Sequence, residues 1–428
     1  MNNIKVAILG LGNVGSGVWE ILHKNQRKVD SYLGRSIDVK KVLVSDVKKK
    51  RSIDIPAEVL TDNITEILEN KDIQVVVELI GGLDPAYSYI KAALKNKKHV
   101  VTANKAVIAT YGKELRELAD ENEVEIRYEA SVGGGIPIIN TLMQSLSANK
   151  FDEIVGIVNG TTNYILTQMT AEGMDFGEAL KLAQEKGFAE SDPTSDIEGE
   201  DAAFKLSILS YIAFGIEVSP QDIPREGITR ISKEDIEYAK QLGYIIKLLA
   251  SARRNNKTFE FHVHPVLLKK DHPLASVNNE FNALFVKGNA VGELMLYGKG
   301  AGSMPTGSAV LGDVMEIGKR ISEKPSVSHA NKNGYMSSLE SVGEGLSEYY
   351  IRFQVKDQPG VLGNIATIMG DNGISLKSVV QRGKPGEKSV PLVFITHAVE
   401  RKNLDGALEE IQESEMINEV ASIMKVKR

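Results

Sequence analysis

The sequence predicts an α/β chain in three parts: a doubly wound parallel sheet, a mixed α+β region, and a small C-terminal domain ordered βαββαβ. Three observations carry this. The apolar run Ile4–Leu9 enters Gly10-Leu11-Gly12-Asn13-Val14-Gly15 without a spacer, and apolar residues then recur at helical spacing (Val18, Trp19, Ile21, Leu22). Short apolar runs alternate with helical patterns as far as Glu129. Beyond residue 348 the order changes to strand, helix, strand, strand, helix, strand.

Composition excludes several classes. A chain of 428 residues holds two or three domains, each able to bury its own core. A formal net charge of −6 gives no support for nucleic-acid binding, and the basic run Lys48–Arg51 is local. No window reaches the roughly 18 uninterrupted apolar residues of a membrane span. The N-terminus lacks the regions of a signal peptide, so cytoplasmic residence is expected. There is no cysteine. Disulfides, thiolate zinc sites and a thiol nucleophile are excluded, and with them aldehyde oxidation through a thioester. His262 and His264, in FEFHVHPV, read as one face of a strand rather than a metal site.

Strand, GxGxxG, then helix is the setting of a Rossmann-like nucleotide-binding sheet. Its glycines permit a tight turn and let backbone approach a pyrophosphate at a helix N-terminus. The next strand, Val39–Val44, ends in Ser45-Asp46. An acid there suits a ribose 2′-hydroxyl, whereas Lys48, Lys49, Lys50 and Arg51 favour a 2′-phosphate; the balance leans to NADP(H) over NAD(H). Ile73–Ile80 and His99–Thr102 read as buried strands around a helix from Pro85 to Asn96. Lys105 then follows a strand's C-terminal end, where such sheets bind ligands, or is a surface lysine. Ile126–Glu129 is a further strand, leading into Gly133-Gly134-Gly135-Ile136-Pro137. That loop reads as a helix cap, or as inward carbonyls beside a carboxylate that suit a hard cation.

From Phe151 the pattern is mixed. A strand over Glu153–Val158 precedes Asn159-Gly160-Thr161-Thr162-Asn163, a polar turn that caps a helix. Helices are expected over Ile208–Phe214 and Ser232–Leu249, and strands over Phe259–Val266, Ala283–Lys287 and Glu293–Tyr297. The Gly-rich loop Gly298–Thr306 opens a helix, and either returns towards the cofactor or simply connects. Residues 321–347 have linker composition. After them come the strand Tyr349–Val355, the turn Asp357–Gly360, a helix to Gly370 and the strand Ile374–Gln381. A turn at Gly383–Gly386, the strand Val390–His397, the helix Leu404–Gln412 and the strand Val420–Val426 complete a ferredoxin-like plan. The expected organisation is 1–135 nucleotide-binding, 136–320 substrate and dimerisation, 321–347 linker and 348–428 a small independent domain.

The stretch Ala183–Lys205, AQEKGFAESDPTSDIEGEDAAFK, concentrates Glu190, Asp192, Asp196, Glu198, Glu200 and Asp201 before a single Lys205. Carboxylates can hold an ammonium, and a lysine can pass a proton to a reacting oxygen. Taken alone, the stretch reads first as a solvated turn with an Asp201–Lys205 helical ion pair.

This stretch resembles the characteristic segment of homoserine dehydrogenases, matching at Gly187, Phe188, Asp192-Pro193, Asp196, Gly199, Asp201 and Lys205. GLGNVG, VTANK (Val101–Lys105), NGTTN (Asn159–Asn163) and YGKGAGSMPT (Tyr297–Thr306) are similar to the same family, in order from residue 4 to about 320. The C-terminal domain resembles ACT domains, which bind amino acids and carry a DxPG turn like Asp357–Gly360. The resemblance implies reversible NAD(P)-dependent interconversion of L-homoserine and L-aspartate 4-semialdehyde, on the route to threonine and methionine.

The resemblance implies Lys205 as proton donor, with Lys105 beside cofactor and substrate. Glu190, Asp201, Asp196 and Thr162 are implied as substrate contacts. Gly10, Leu11, Gly12, Asn13, Val14, Gly15, Lys105, Gly187 and Gly302 fall to the cofactor, and Glu129, Val132, Gly134 and Ile136 to a sodium ion. A homo-oligomer, dimer or tetramer, and threonine as effector at the ACT domain are expected; nucleic-acid and membrane partners are not. Ser45 departs from the family, where that position is often basic. Two rivals remain. A regulator that has lost catalysis is opposed by the joint presence of Lys205, Asp201, Glu190 and Lys105. A related dehydrogenase for another amino-acid carbonyl is opposed by the intact 183–205 segment.

Overall fold

The computed structural model describes residues 3–51, 53–255, 258–322, 345–381 and 389–427. The chain falls into two compact units, Met1–Phe151 with Phe204–Asp222 and Asn282–Ser338, and Asp152–Ala203 with Ile223–Phe281 and Leu339–Arg428.

In the first unit six short strands form one sheet. They are β1 (Ile4–Leu9), β2 (Ile37–Leu43), β3 (Leu60–Thr61), β4 (Val75–Glu78), β5 (His99–Thr102) and β6 (Ile126–Arg127). All run parallel in the order β3-β2-β1-β4-β5-β6. The central β1, β4 and β5 are almost wholly buried, as in a parallel sheet covered on both faces. The order reverses between β1 and β4, which marks the crevice where such sheets take ligands. One face is covered by the helix Asn13–Lys24 through Val18, Ile21 and Leu22, packed with Val310, Leu311 and Val314 of the helix Ser303–Ser322. The other face buries Ile90 and Leu94 of the helix Ala86–Lys95 and Leu115 of the helix Lys105–Glu121. Each large apolar side chain so buried contributes roughly 1.5–3 kcal/mol.

The expected strand through Glu129 stops at Arg127, because β6 pairs with β5 at only two positions. Glu129 belongs to the single turn Glu129–Ser131, and its carboxylate accepts from the N–H groups of Ile139 and Asn140.

In the second unit seven strands lie side by side in the order Phe151–Ile157, Tyr244–Asn255, Thr258–Lys269, Ile417–Lys427, Glu348–Val355, Val390–Thr396 and Leu376–Gln381. The expected helix Ser232–Leu249 is corrected here. A helix runs from Lys233 to Gln241, Gly243 turns at φ +84, and Tyr244–Asn255 is a strand paired along its length with Thr258–Lys269. The run IIKLLA fits both periods, and the left-handed glycine decides between them.

The last four strands with the helices Val361–Asp371 and Arg401–Gln412 complete the βαββαβ plan, around Tyr349, Ile351, Phe353 and Phe394. This domain does not stand apart from the rest of its unit. Lys425, Val426 and Lys427 pair in parallel with Val266, Leu267 and Leu268, so one sheet continues through both. The expected linker lies, from 323 to 344, outside the described residues, as does the turn Gly383–Gly386. Among the described residues no helix is long and apolar enough to cross a membrane.

Candidate active site

The glycines of the first loop divide their duties. A Cβ on Gly15 would stand 2.2 Å from the carbonyl oxygen of Gly10, so this glycine allows helix and strand to close. Gly10 has φ +96 and admits no Cβ without striking the backbone of Leu79. Gly12 has open space around it, is exposed, and precedes a helix whose first turn has no side-chain cap. Its neighbourhood is shaped for a ligand's pyrophosphate against bare N–H groups. Leu11 and Val14 are half-buried beside it and Asn13 is exposed.

The Gly-rich loop returns to this place. Ser303 Oγ donates to the carbonyl of Asn13 at 2.7 Å, directly after Gly302 at φ +122. Of the two readings of that loop, the structure selects the return.

At the C-terminal ends of β4 and β5 a buried chain of hydrogen bonds fixes the start of the helix Lys105–Glu121. Glu78 accepts from Thr102 Oγ1 at 2.6 Å and from the N–H groups of Ile80 and Gly81. Thr102 Oγ1 accepts from the N–H of Asn104, whose side chain caps the helix at Val107 N–H and donates to Gly82 O. Lys105 is the first residue of that helix, half-exposed. Glu78, fully buried at the end of a strand, was not anticipated. A carboxylate closing the apolar run VVVE is the signal that marks it.

After β2, Asp46 accepts from Lys48 N–H and Arg51 folds back onto the carbonyls of Asp46 and Lys49, leaving Lys48, Lys49 and Lys50 exposed.

The loop Glu129–Ile136 is buried at Glu129, Val132, Gly134 and Ile136. Glu129 accepts from Ile139 and Asn140 N–H at 2.8 and 2.6 Å, and its own N–H donates to Asp313. Burial pushes the Glu129 carboxyl up to about 7, although the Asn140 N–H pulls the other way and the nearby Asp313 adds to the rise. The carbonyl of Ile136 accepts from Ile138 N–H. Each of these oxygens keeps a second lone pair. One carboxylate among backbone carbonyls is the donor class of a hard cation, and a cation would favour the charged form that burial resists. Among the described residues no group of three or more His, Asp or Glu forms an alternative metal site.

The second unit holds the carboxylates. Asn159 caps the helix Gly160–Glu172 by accepting from Thr162 N–H at 2.9 Å. Its amide nitrogen donates to Asp196 Oδ1 at 2.6 Å and Asp201 Oδ2 at 2.9 Å. One buried amide therefore ties together both acids and the cap. Thr161 Oγ1 lies 2.9 Å from Asp196 Oδ2, and Thr162 Oγ1 contacts Asn159. Asp201 is 2% exposed, whereas Glu190 and Gly187 reach solvent, the latter at φ +74 just beyond the helix Phe176–Glu185. Asp192 spends its carboxylate on Thr194, which lowers its pKa, and Glu198 accepts from Thr229. The sequence marks Asn159 as part of a capping turn and of the NGTTN motif, without a role of its own. Lys205, half-exposed, follows Asp201 by four residues in the helix Glu200–Phe214.

Comparison with known proteins bears on the family and the fold. Residues 137–315 match the homoserine dehydrogenase family, 10–129 the homoserine dehydrogenase NAD-binding domain and 349–415 the ACT domain. The chain is 45% identical over 432 residues to a homoserine dehydrogenase of Synechocystis, covering 99% of each. A crystal structure of a homoserine dehydrogenase from Thiobacillus denitrificans superposes with a TM-score of 0.94 at 38% identity, over 100% of this chain and 99% of that one. A hyperthermophilic archaeal homoserine dehydrogenase in complex with NADPH aligns at 29% identity and a TM-score of 0.62, over 74% of this chain and 98% of its own.

Proposed function

Because this chain belongs to the homoserine dehydrogenase family, we propose that it reduces L-aspartate 4-semialdehyde to L-homoserine reversibly, with Lys205 giving the proton to the carbonyl oxygen. The observation that carries the reading is the pair of carboxylates, Asp196 and Asp201, fixed on one amide, with Asp201 a helical turn before Lys205. Substrate and proton donor are then addressed by one short piece of chain.

The nicotinamide cofactor supplies the hydride. The chain's own residues bind and orient. The open backbone at Gly12 and the N-terminus of the helix Asn13–Lys24 receive the pyrophosphate, with Gly10, Leu11, Val14, Gly15 and Gly302 completing the approach, and the family resemblance assigns Gly187 to the cofactor as well. Lys105 lies beside cofactor and substrate, held by the Glu78–Thr102–Asn104 network. Asp201 and the exposed Glu190 take the substrate ammonium, Asp196 and Thr162 its polar surroundings. A carbonyl reduction of this kind needs a hydride and a proton but no covalent nucleophile, in keeping with a chain that has no cysteine.

NADP(H) is the preferred cofactor in this reading. The exposed Lys48, Lys49 and Lys50 support it, as does the capture of the Asp46 carboxylate by its own turn. A sodium ion is held by Glu129 and the carbonyls of Val132, Gly134 and Ile136, where it neutralises the buried carboxylate. The ACT domain binds an amino acid, threonine, as a feedback signal for threonine and methionine synthesis. The enzyme works in the cytoplasm as a homo-oligomer, divided as 1–135, 136–320, 321–347 and 348–428.

The test is direct: oxidation of NADPH and of NADH is followed with L-aspartate 4-semialdehyde, in sodium and in a sodium-free buffer. Consumption with a higher kcat/KM for NADPH is expected. Absence of consumption with either cofactor contradicts the reading.

A further inference from the structure

Lys247 is 1% exposed within the strand Tyr244–Asn255. Its ammonium donates to Asn163 Oδ1 at 2.9 Å, Val277 O at 2.6 Å and Asn278 Oδ1 at 3.3 Å. All three acceptors are neutral. Among the described residues Lys247 has no ion-pair partner, and burial pushes its pKa down to about 7. For stability alone this is an expensive choice. An apolar side chain of similar volume in a buried strand avoids desolvating a charge.

The geometry shows what the charge fixes. Asn163 sits in the NGTTN turn, one helical turn beyond Asn159, to whose carbonyl its N–H donates at 3.3 Å. Its side-chain nitrogen lies 3.2 Å from Val277 O, 3.0 Å from Asn279 O and 3.0 Å from Phe281 O. A primary amide can swap its two ends with little change of shape. An ammonium is donor only, so Lys247 dictates that Oδ1 faces it and that the nitrogen faces the carbonyls. The segment so held is strained: Asn279 has φ +56, and its N–H is taken by Thr167 Oγ1 at 3.0 Å. Lys247, Asn163 and Thr167 thus clamp residues 277–281 against the helix Gly160–Glu172.

We infer that Lys247 is a positioning residue for the reaction, acting through Asn163 to hold the turn from which Asn159 and Thr161 fix Asp196 and Asp201. The inference rests on the reading of those carboxylates and Thr162 as substrate contacts. It assigns Lys247 no contact with substrate.

The absence of cysteine makes the test clean. In the full-length enzyme, Lys247→Met removes the donors at similar volume. Lys247→Cys, alkylated with bromoethylamine in denaturant and refolded, restores an ammonium at this position alone, and the wild type carried through the same steps is the control. Asn163→Ala probes the other end of the contact, should Lys247→Met not fold. The Met and Ala variants are expected to raise KM for the semialdehyde about tenfold, with KM for the nicotinamide cofactor unchanged. Aminoethylation is expected to recover KM to within about threefold of the control. Hydrogen exchange at the amides of Asn163 and Asn279 is expected to quicken in Lys247→Met. That readout needs no substrate, and so stands whether or not the semialdehyde is the substrate. An unchanged semialdehyde KM in an enzyme that Lys205→Ala inactivates overturns this inference alone. So does a loss of activity that follows the melting temperature and is not restored by aminoethylation.

Discussion

Arg352 donates from Nε to Asp235 Oδ1 at 2.7 Å, with Arg352 5% and Asp235 0% exposed. The arginine lies on the first strand of the ACT domain and the aspartate in the first turn of the helix Lys233–Gln241. Tyr350 donates to the same carboxylate at 3.0 Å, and Ser232 closes a capping box with it. Glu234 and Ser232 receive the remaining guanidinium nitrogens. With the parallel pairing of Lys425–Lys427 onto Val266–Leu268, the contact makes the ACT domain a structural continuation of its unit.

Breaking this contact from one side leaves a buried charge. Arg352→Met is expected to cost about 3–5 kcal/mol, read as a fall in the denaturant midpoint, and Arg352→Met with Asp235→Asn less than the single change. Truncation near residue 345 is expected to abolish amino-acid inhibition. It also bares Asp235 and the edge of the strand Thr258–Lys269, so the truncated enzyme is expected to self-associate in sedimentation.

The glycine loop separates binding from folding. Gly12→Ala, with φ −78 and open space, is expected to leave the melting temperature unchanged and to raise the Kd for NADPH about tenfold or more. Gly15→Ala, whose Cβ meets Gly10 O at 2.2 Å, is expected to lower the melting temperature itself. Calorimetry and cofactor titration together distinguish the two.

His264 predicts acid sensitivity. Among the described residues its buried ring nitrogens have no hydrogen-bonding side-chain or backbone partner, and its ring stacks on His262 at 4.2 Å. Burial first, then the charges of Lys425, Arg401 and Lys427, push its pKa from 6.5 down to about 3. His262 is held well below its ordinary value by burial and by His264, Lys425 and Lys427. Both rings are neutral in the fold. Above pH 6.5 the unfolded chain is neutral there too, and the full stability is present. As pH falls below that value the unfolded chain takes up protons that the fold refuses, at about 1.4 kcal/mol per pH unit per ring. His264→Phe is expected to flatten the fall in melting temperature between about pH 6.5 and 5; an unchanged slope contradicts this account.

Much of the fold was legible because its signals are local. GLGNVG, the strand–helix alternation and the DQPG turn are each written within a few residues, and they fold as read apart from the strand that ends at Arg127. The strand Tyr244–Asn255 was not, since IIKLLA suits either period, and the left-handed turn at Gly243 with the pairing onto Thr258–Lys269 settles it. Asp196 and Asp201 were visible as acids in a crowded stretch. The amide that joins them comes from Asn159, 37 and 42 positions away. Glu78, Lys247 and Arg352 were missed for the same reason: each draws its meaning from a partner that only the tertiary structure supplies. A lone lysine inside a buried apolar strand is nevertheless a readable anomaly.

Proton donation by Lys205 is the step on which the proposed reduction turns. The decisive measurement is single-turnover reduction of L-aspartate 4-semialdehyde by NADPH, for the wild type and Lys205→Ala with both saturated. A fall of about 10²–10⁴-fold in the hydride-transfer rate is expected, with the Kd for NADPH unchanged. A rate within about threefold of the wild type would contradict it.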